Sequence, residues 1–389
     1  MKVVDVMLLA GTRPEAVKLA PLAKALDARP GLRPLFVHSG QHPDMVEQAL
    51  APFERAVDGW LEIPPRVSGT QAELMSGMLP ALDEALRRYA PGAVVVQGDT
   101  ATALAGALTA FWLGIPVVHL EAGLRTHDLT SPFPEEGTRQ MISRIAALHL
   151  TPGPAAAAKL RAEGIPAERI VVSGNTVVDA VLAIAARDLP ARDPALALLE
   201  MGIAEAGEQL MLVTSHRRES WGEPLSHTLA AVRRIVDAHP RVQVLFPAHP
   251  NPAVRAQVET ALREVPRVTV TEPLEYPDLV RALRLATLVL TDSGGVQEEA
   301  PTFGTPVLIL RDTTERPEAV AAGCAWLVGT DADLITSTAG RVLSGELHAA
   351  TSANPYGDGS AAIRSAAAIE ALLGLADPAA TANLRATAG

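Results

Sequence analysis

Short apolar runs alternate with stretches of helical periodicity along the whole 389-residue chain. In the first half, Val3–Leu9, Pro34–His38, Ala93–Gln97 and Pro116–Leu120 read as buried strands. Glu73, Leu74, Met78, Leu79, Leu82 and Leu86 recur at helical spacing and stop before Pro91. Thr100 to Leu113 makes a second helical stretch directly after a strand. The rhythm restarts after residue 175, with strands predicted at Leu210–Thr214, Val242–Pro247, Val268–Val270, Leu288–Leu290 and Pro306–Leu310. Strands separated by helices run parallel through crossovers, so the pattern predicts an α/β fold.

A single core stops growing near roughly 250–300 residues, so a chain of this length predicts two domains. The expected architecture is two Rossmann-like α/β/α domains facing a cleft, with the boundary near Val172–Asn175. The first domain would span 1–172 and the second 173–359. A helix over about 360–375 would pack back on the first domain, and the small-residue tail 376–389 is expected to be disordered.

Composition narrows the partners. A formal charge of -11 and 3% aromatic residues leave no broad basic or stacking surface, so no nucleic acid is expected. The single cysteine, Cys324, forms neither an intrachain disulfide nor a thiolate cluster. The histidines lack paired metal-ligand spacing, so no metal is expected either. Asp5 interrupts the first apolar run and Arg13 to Lys18 follow it, which reads as a strand rather than a leader. No run has the ~18 uncharged apolar residues of a membrane span, and the cytoplasm is the expected compartment.

Ligands of open parallel sheets sit beyond the carboxyl ends of the strands. The chemically unusual segments fall there: Gly11 to Glu15, Gly98-Asp99-Thr100, Glu121 to Arg125, Ser215 to Glu219, Asp292 to Gly295 and Arg311 to Arg316. Ser293-Gly294-Gly295 suits a phosphate, because glycines let backbone approach a ligand and a helix follows. A plain turn explains the same residues about equally well. Asp99, Glu121 and Glu135 are carboxylates suited to acid–base work at carbon. Taken alone, Asp99 reads better as the N-cap of the helix it precedes. Glu136 reads as an ordinary first-turn residue, and His216 beside Arg217 and Arg218 suits a diphosphate. Neither a G-x-G-x-x-G nor a P-loop motif is present, which argues against a nicotinamide enzyme and a P-loop NTPase. No G-x-S-x-G supports a hydrolase triad.

Seven segments in register carry a resemblance: GTRPEAVKLAPL from Gly11, QGDTATALAGAL from Gln97, HLEAGLRTHDLTSPFPEEGTRQ from His119, SGNTVVDA from Ser173, SHRRES from Ser215, TDSGGVQEEAP from Thr291 and RDTTERPEAV from Arg311. Together the chain resembles the non-hydrolysing UDP-N-acetylglucosamine 2-epimerases of bacteria. The resemblance implies a GT-B-like fold, a homodimer, no cofactor, and reversible conversion of UDP-GlcNAc to UDP-ManNAc for cell-surface polysaccharides. It implies removal of the C2 proton, elimination of UDP to 2-acetamidoglucal, and re-addition.

By matching position, Asp99, Glu121 and Glu135 would be the acid–base groups, with His216 assisting at the departing UDP. Arg13 and Lys18 would line the site from the first domain, and Ser293, Gly294 and Gly295 would hold the diphosphate. Glu299 would bind the ribose, Arg316 the nucleotide or sugar, and Tyr276 and Leu279 the uracil. Gln41, Arg217 and His249 match a second, allosteric UDP-GlcNAc site found in many members. Proline follows Gln41-His42 where arginine is common, so activation by a second substrate molecule stays open. A hydrolysing epimerase releasing ManNAc and UDP, a GT-B glycosyltransferase, and a nucleotide-sugar sensor are the rival readings.

Overall fold

The computed structural model describes residues 3–42, 45–217, 220–350 and 353–376. The chain divides into two compact units, residues 1–183 with 356–389, and residues 184–355. The change of unit therefore falls between Ala183 and Ile184, inside a helix, rather than at the expected Val172–Asn175. The expected disordered tail lies, from residue 377 onward, outside the described residues.

The first unit holds strands β1 (Val4–Ala10), β2 (Leu32–His38), β3 (Gly59–Trp60), β4 (Ala93–Gln97), β5 (Val117–Leu120), β6 (Leu148–Thr151) and β7 (Ile170–Val172). Helices α1 (Arg13–Asp27), α2 (Met45–Leu50), α3 (Gln71–Tyr89), α4 (Ala101–Trp112), α5 (Glu135–Ile145), α6 (Pro154–Ala162) and α7 (Thr176–Ala185) lie between and after them. The strands pair in parallel in the order β3-β2-β1-β4-β5-β6-β7. Every residue of β4 is buried, as a strand covered on both faces requires. Helix α3 turns Leu74, Met78, Leu82 and Leu86 onto Met7, Val94 and Val96. Its start is fixed by Thr70, whose hydroxyl accepts the Glu73 N–H at 3.2 Å.

The second unit repeats the plan with helix α8 (Pro194–Ala206) and strands β8 (Gln209–Thr214), β9 (Val242–Pro247), β10 (Val268–Thr271), β11 (Ala286–Thr291), β12 (Val307–Ile309) and β13 (Ala325–Leu327). Its other helices are α9 (Glu223–Ala238), α10 (Pro252–Leu262), α11 (Tyr276–Leu285), α12 (Gly294–Glu299), α13 (Glu318–Ala321) and α14 (Ala332–Leu343). These strands are also parallel, in the order β10-β9-β8-β11-β12-β13. Leu225, Leu229, Val232 and Val236 of α9 pack with Val213, Val244, Phe246 and Leu290.

In each sheet the strand order reverses once, between β1 and β4 and between β8 and β11. Crossovers leave in opposite directions there, which opens a crevice at the carboxyl ends of those strands.

The last helix, α15 (Ala361–Leu372), belongs to the first unit. No side chain of its own caps it. Asp179 of α7 does so instead, accepting the N–H groups of Ala361 and Ala362 at 3.2 and 2.9 Å. Arg29, beyond α1, pairs with Glu370. Asp179→Ala is expected to cost on the order of 1 kcal/mol, the usual worth of a lost cap. Hydrogen exchange should accelerate in α15 far more than in β1 or β4, and Asp179→Asn should restore part of the protection.

Candidate functional site

At the β1/β4 switch point the chain enters α1 through Gly11-Thr12. A Cβ on Gly11 would lie 2.1 Å from Ser39 Oγ and 2.2 Å from Thr102 Oγ1, so only glycine lets these three segments meet. Thr12 caps α1, and Glu15 is fully buried directly behind it. The Glu15 carboxylate accepts from Gly11 N at 3.0 Å, Thr12 Oγ1 at 2.8 Å and Thr100 Oγ1 at 2.5 Å. It thereby ties the β1 loop to the β4 loop that carries Asp99. Burial outweighs these donors and pushes the Glu15 carboxyl up from 4.5 to about 7.

Thr100 caps α4 by accepting the Ala103 N–H at 3.0 Å, so Asp99 is not the N-cap. Asp99 instead accepts from Arg139 Nε at 2.7 Å. Glu121, just past β5, is buried and stands at φ +63°, in the left-handed region that a non-glycine residue rarely occupies. Its Oε2 takes the Lys18 ammonium at 2.5 Å and the Gln97 side-chain amide. Buried His119 contacts the Gly98 carbonyl through Nε2 at 2.8 Å, and burial lowers its ring to about 4, so it is neutral.

Glu135 opens α5, half-buried, and Arg13 opens α1, also half-buried. Glu136 is no plain first-turn residue. It is fully buried and accepts from Thr126 N, His127 N, Arg139 Nη1 and Gln140 Nε2. Burial raises its carboxyl, and the Thr126, Gln140 and His127 donors with the Arg139 charge more than reverse this and hold it below its ordinary range. Arg139 therefore bridges Glu136 and Asp99. Gln41 lies beside the same loop, where Thr102 Oγ1 donates to its Oε1 at 2.8 Å.

At the β8/β11 switch point the organiser is Asp292, which is fully buried. It accepts from Ser215 Oγ, from the His216 and Arg217 backbone N–H groups and, at 3.1 Å, faces His216 Nδ1. Burial raises its carboxyl, but His216, the Arg217 N–H and Ser220 outweigh it and hold it at about 2. Arg218 and Glu219 lie outside the described residues.

Ser293 caps α12 by accepting the Val296 N–H at 3.4 Å. A Cβ on Gly294 would meet the Arg316 guanidinium at 2.5 Å, so that cation lies against the start of α12; Gly295 is not so confined. Arg316 pairs with Glu298 and Glu315, and Glu315 also receives Arg217 and Arg311. Arg217, Arg311 and Arg316 thus converge on Glu315, and Arg316 brings this cluster against the Ser-Gly-Gly turn.

Glu299 ends α12, buried. Tyr276 and Leu279 lie on α11, a separate element, the first buried and the second half-buried. His249 follows β9, 5.5 Å from the Trp221 ring. Burial and the charge of His216 lower its ring. Among the described residues, no group of three or more His, Cys, Asp or Glu could hold a metal ion. None of their helices is long and apolar enough to cross a membrane.

Sequence reasoning singled out Asp99, Glu121 and His216 but not the groups that hold them: Gln97, Arg139, Glu136 and Asp292. It also missed Glu15, Glu298 and Glu315. Thr12-x-x-Glu15 has capping-box spacing, and Glu315 sits between Arg311 and Arg316, so two of these left a readable sign.

Two Rossmann-like units, one switch point lined with partnered carboxylates and the other with arginines about a Ser-Gly-Gly turn, define a class of two-unit α/β proteins equipped for acid–base chemistry and anion binding. The profile of the family described as UDP-N-acetylglucosamine 2-epimerase matches residues 24–370. The UDP-N-acetylglucosamine 2-epimerase of Bacillus subtilis (strain 168) is 43% identical, over 94% of this chain and 94% of that protein. The solved structure of S. aureus MnaA with UDP is similar at a TM-score of 0.87 and 37% identity, covering 96% of this chain and 98% of that one. The UDP-GlcNAc 2-epimerase of Neisseria meningitidis, bound to UDP-GlcNAc, is similar at 0.83 and 35%, covering 96% and 100%. The chain belongs to the UDP-N-acetylglucosamine 2-epimerase family.

Stability should report the buried Glu15. Its folded value lies above the ordinary one, so its contribution is full below about 4.5 and is lost as pH rises to about 7. A shift from 4.5 to about 7, at 1.36 kcal/mol per unit, amounts to about 3 kcal/mol. In Glu15→Gln this loss should vanish: urea unfolding at matched pH should show the wild type falling by about 3 kcal/mol relative to the variant across that window, because groups such as His119 act on both chains alike.

Proposed function

We propose that the chain is a non-hydrolysing UDP-GlcNAc 2-epimerase, reversibly forming UDP-ManNAc for cell-surface polysaccharides. A first-unit carboxylate among Asp99, Glu121 and Glu135 takes the C2 proton. The C1–O bond to UDP breaks, and 2-acetamidoglucal with its C1=C2 bond remains. A second carboxylate delivers a proton to the opposite face of C2, and the UDP oxygen re-adds at C1. Arg13 and Lys18 assist from the first unit. Ser293, Gly294, Gly295, Arg316, Glu299, Tyr276 and Leu279 hold UDP, with His216 at the departing phosphate. Gln41, Arg217 and His249 are the proposed contacts of an activating second UDP-GlcNAc, and the working unit is a homodimer.

The observation that carries this reading is the pair of carboxylates at one switch point with different partners. Glu121 is tied to Lys18 and Gln97, and Asp99 to Arg139. Proton removal and return on opposite faces of one carbon need two groups in unlike environments. The relatives solved with UDP and with UDP-GlcNAc support the ligand. The uninterrupted run of seven motifs favours the non-hydrolysing branch.

Purified protein given UDP-GlcNAc, or UDP-ManNAc with a small amount of UDP-GlcNAc to fill the activating site, should reach one common mixture of the two, resolved by anion-exchange chromatography. Stoichiometric free ManNAc and UDP would move the chain to the hydrolysing branch, and an unchanged substrate would remove it from both.

A further inference from the structure

We infer that Asp292 is a positioning residue for the proposed reaction, fixing the ring hydrogen of His216 on Nδ1 so that Nε2 faces the departing diphosphate. This rests on the reading of His216 given above and adds the group that orients it.

The geometry begins with a constraint of charge. Asp292 is fully buried at the end of β11, and an ionised carboxylate only accepts hydrogen bonds. One side of it is filled by main chain: the N–H of His216 at 3.0 Å and of Arg217 at 3.0 Å reach Oδ2, with Ser215 Oγ at 3.3 Å. Oδ1 is met by the His216 ring through Nδ1 at 3.1 Å and by the His216 backbone N–H, bifurcated between the two oxygens, also at 3.1 Å. The shared hydrogen must therefore sit on Nδ1. The held ring is not buried with its partner: its side chain is 46% exposed, whereas that of Asp292 is fully buried. Asp292 also immediately precedes Ser293 and Gly294, so one residue joins the His216 segment to the turn proposed to hold the diphosphate.

A structural role alone would be met by the backbone bonds, which already staple the end of β8 to the end of β11. The ring contact is additional to that staple. With Nδ1 committed, a neutral ring offers a lone pair at Nε2. A doubly protonated ring, its charge paired with Asp292, offers an Nε2–H donor to the phosphate oxygen that leaves C1. The opposite tautomer would turn the Nδ1 lone pair onto a carboxylate, which is repulsive. No bond to His216 forms or breaks; its part is a hydrogen bond to the leaving oxygen.

Asn in place of Asp separates the two roles. Its side-chain oxygen can keep the backbone donors, while its amide N–H faces the ring and makes Nδ1 the acceptor. Two-bond proton–nitrogen NMR on histidine-labelled full chain, at a mildly alkaline pH where imidazoles are neutral, reads the tautomer directly. His216→Asn identifies the resonance among the ten histidines.

The expected result is hydrogen on Nδ1 of His216 in the wild type and on Nε2 in Asp292→Asn. The same variant should lose on the order of 10–100-fold in kcat for UDP-GlcNAc, with KM changed less than about threefold, because its ring keeps an Nε2–H but loses the carboxylate whose paired charge makes that hydrogen a strong, charge-assisted donor. A wild-type ring carrying its hydrogen on Nε2 overturns the inference, even if Asp292→Asn were too unstable to assay. So does an Asn variant that keeps wild-type kcat. A wild-type chain that turned over no UDP-GlcNAc would sink the proposed function, and the tautomer would still decide the Asp292–His216 pairing.

Discussion

A carboxylate taken out of water at the end of a parallel strand must find donors or cations, and the loops of both units are arranged around that requirement. Glu15, Glu121 and Glu136 in the first unit and Asp292, Glu298 and Glu315 in the second are all nearly or fully buried. Leaving any of them unmet would cost several kcal/mol, comparable to much of a domain's net stability. Each therefore gathers main-chain N–H groups, hydroxyls, side-chain amides or cations from the residues around it. Glu15 joins the loops after β1 and β4, Glu136 holds the loop at Thr126 and His127, and Asp292 joins those after β8 and β11.

This has a consequence for chemistry. Asp99 and Glu121 are the carboxylates that the proposed function needs as proton-transfer groups. They are held by side chains that are themselves held: Asp99 by Arg139, which Glu136 anchors, and Glu121 by Lys18 and Gln97. Reactive groups supported this way keep their position through neighbours that are themselves fixed. In the second unit, Glu315 restrains three arginines, one of which, Arg316, lies against Gly294.

How much of this could be read from the residues follows from physical range. Long apolar runs and helical spacing located β1, β4, β8, β9, α3 and α4 to within a residue or two, because a buried parallel strand must be apolar throughout. The short strands Gly59–Trp60, Leu148–Thr151, Ile170–Val172 and Ala325–Leu327 gave no comparable signal. Two to four residues carry too little periodicity, and neighbouring strands define them. The change of unit was displaced because α7 runs on past Val172–Asn175. For the site, strand-end position picked out Asp99, Glu121 and His216. Their partners are 40, 103 and 76 positions away for Arg139–Asp99, Lys18–Glu121 and His216–Asp292. Only the folded sheet order brings such pairs together, and for Asp99 it also assigned the helix cap to Thr100 instead.

The central claim is that these first-unit carboxylates exchange the C2 proton of a nucleotide sugar with solvent. Proton NMR of the purified chain with UDP-GlcNAc in D2O, without added metal or nicotinamide, tests it most directly. The account predicts deuterium at C2 of both UDP-GlcNAc and UDP-ManNAc as the two interconvert. Epimers that formed with C2 still carrying its original hydrogen would contradict it.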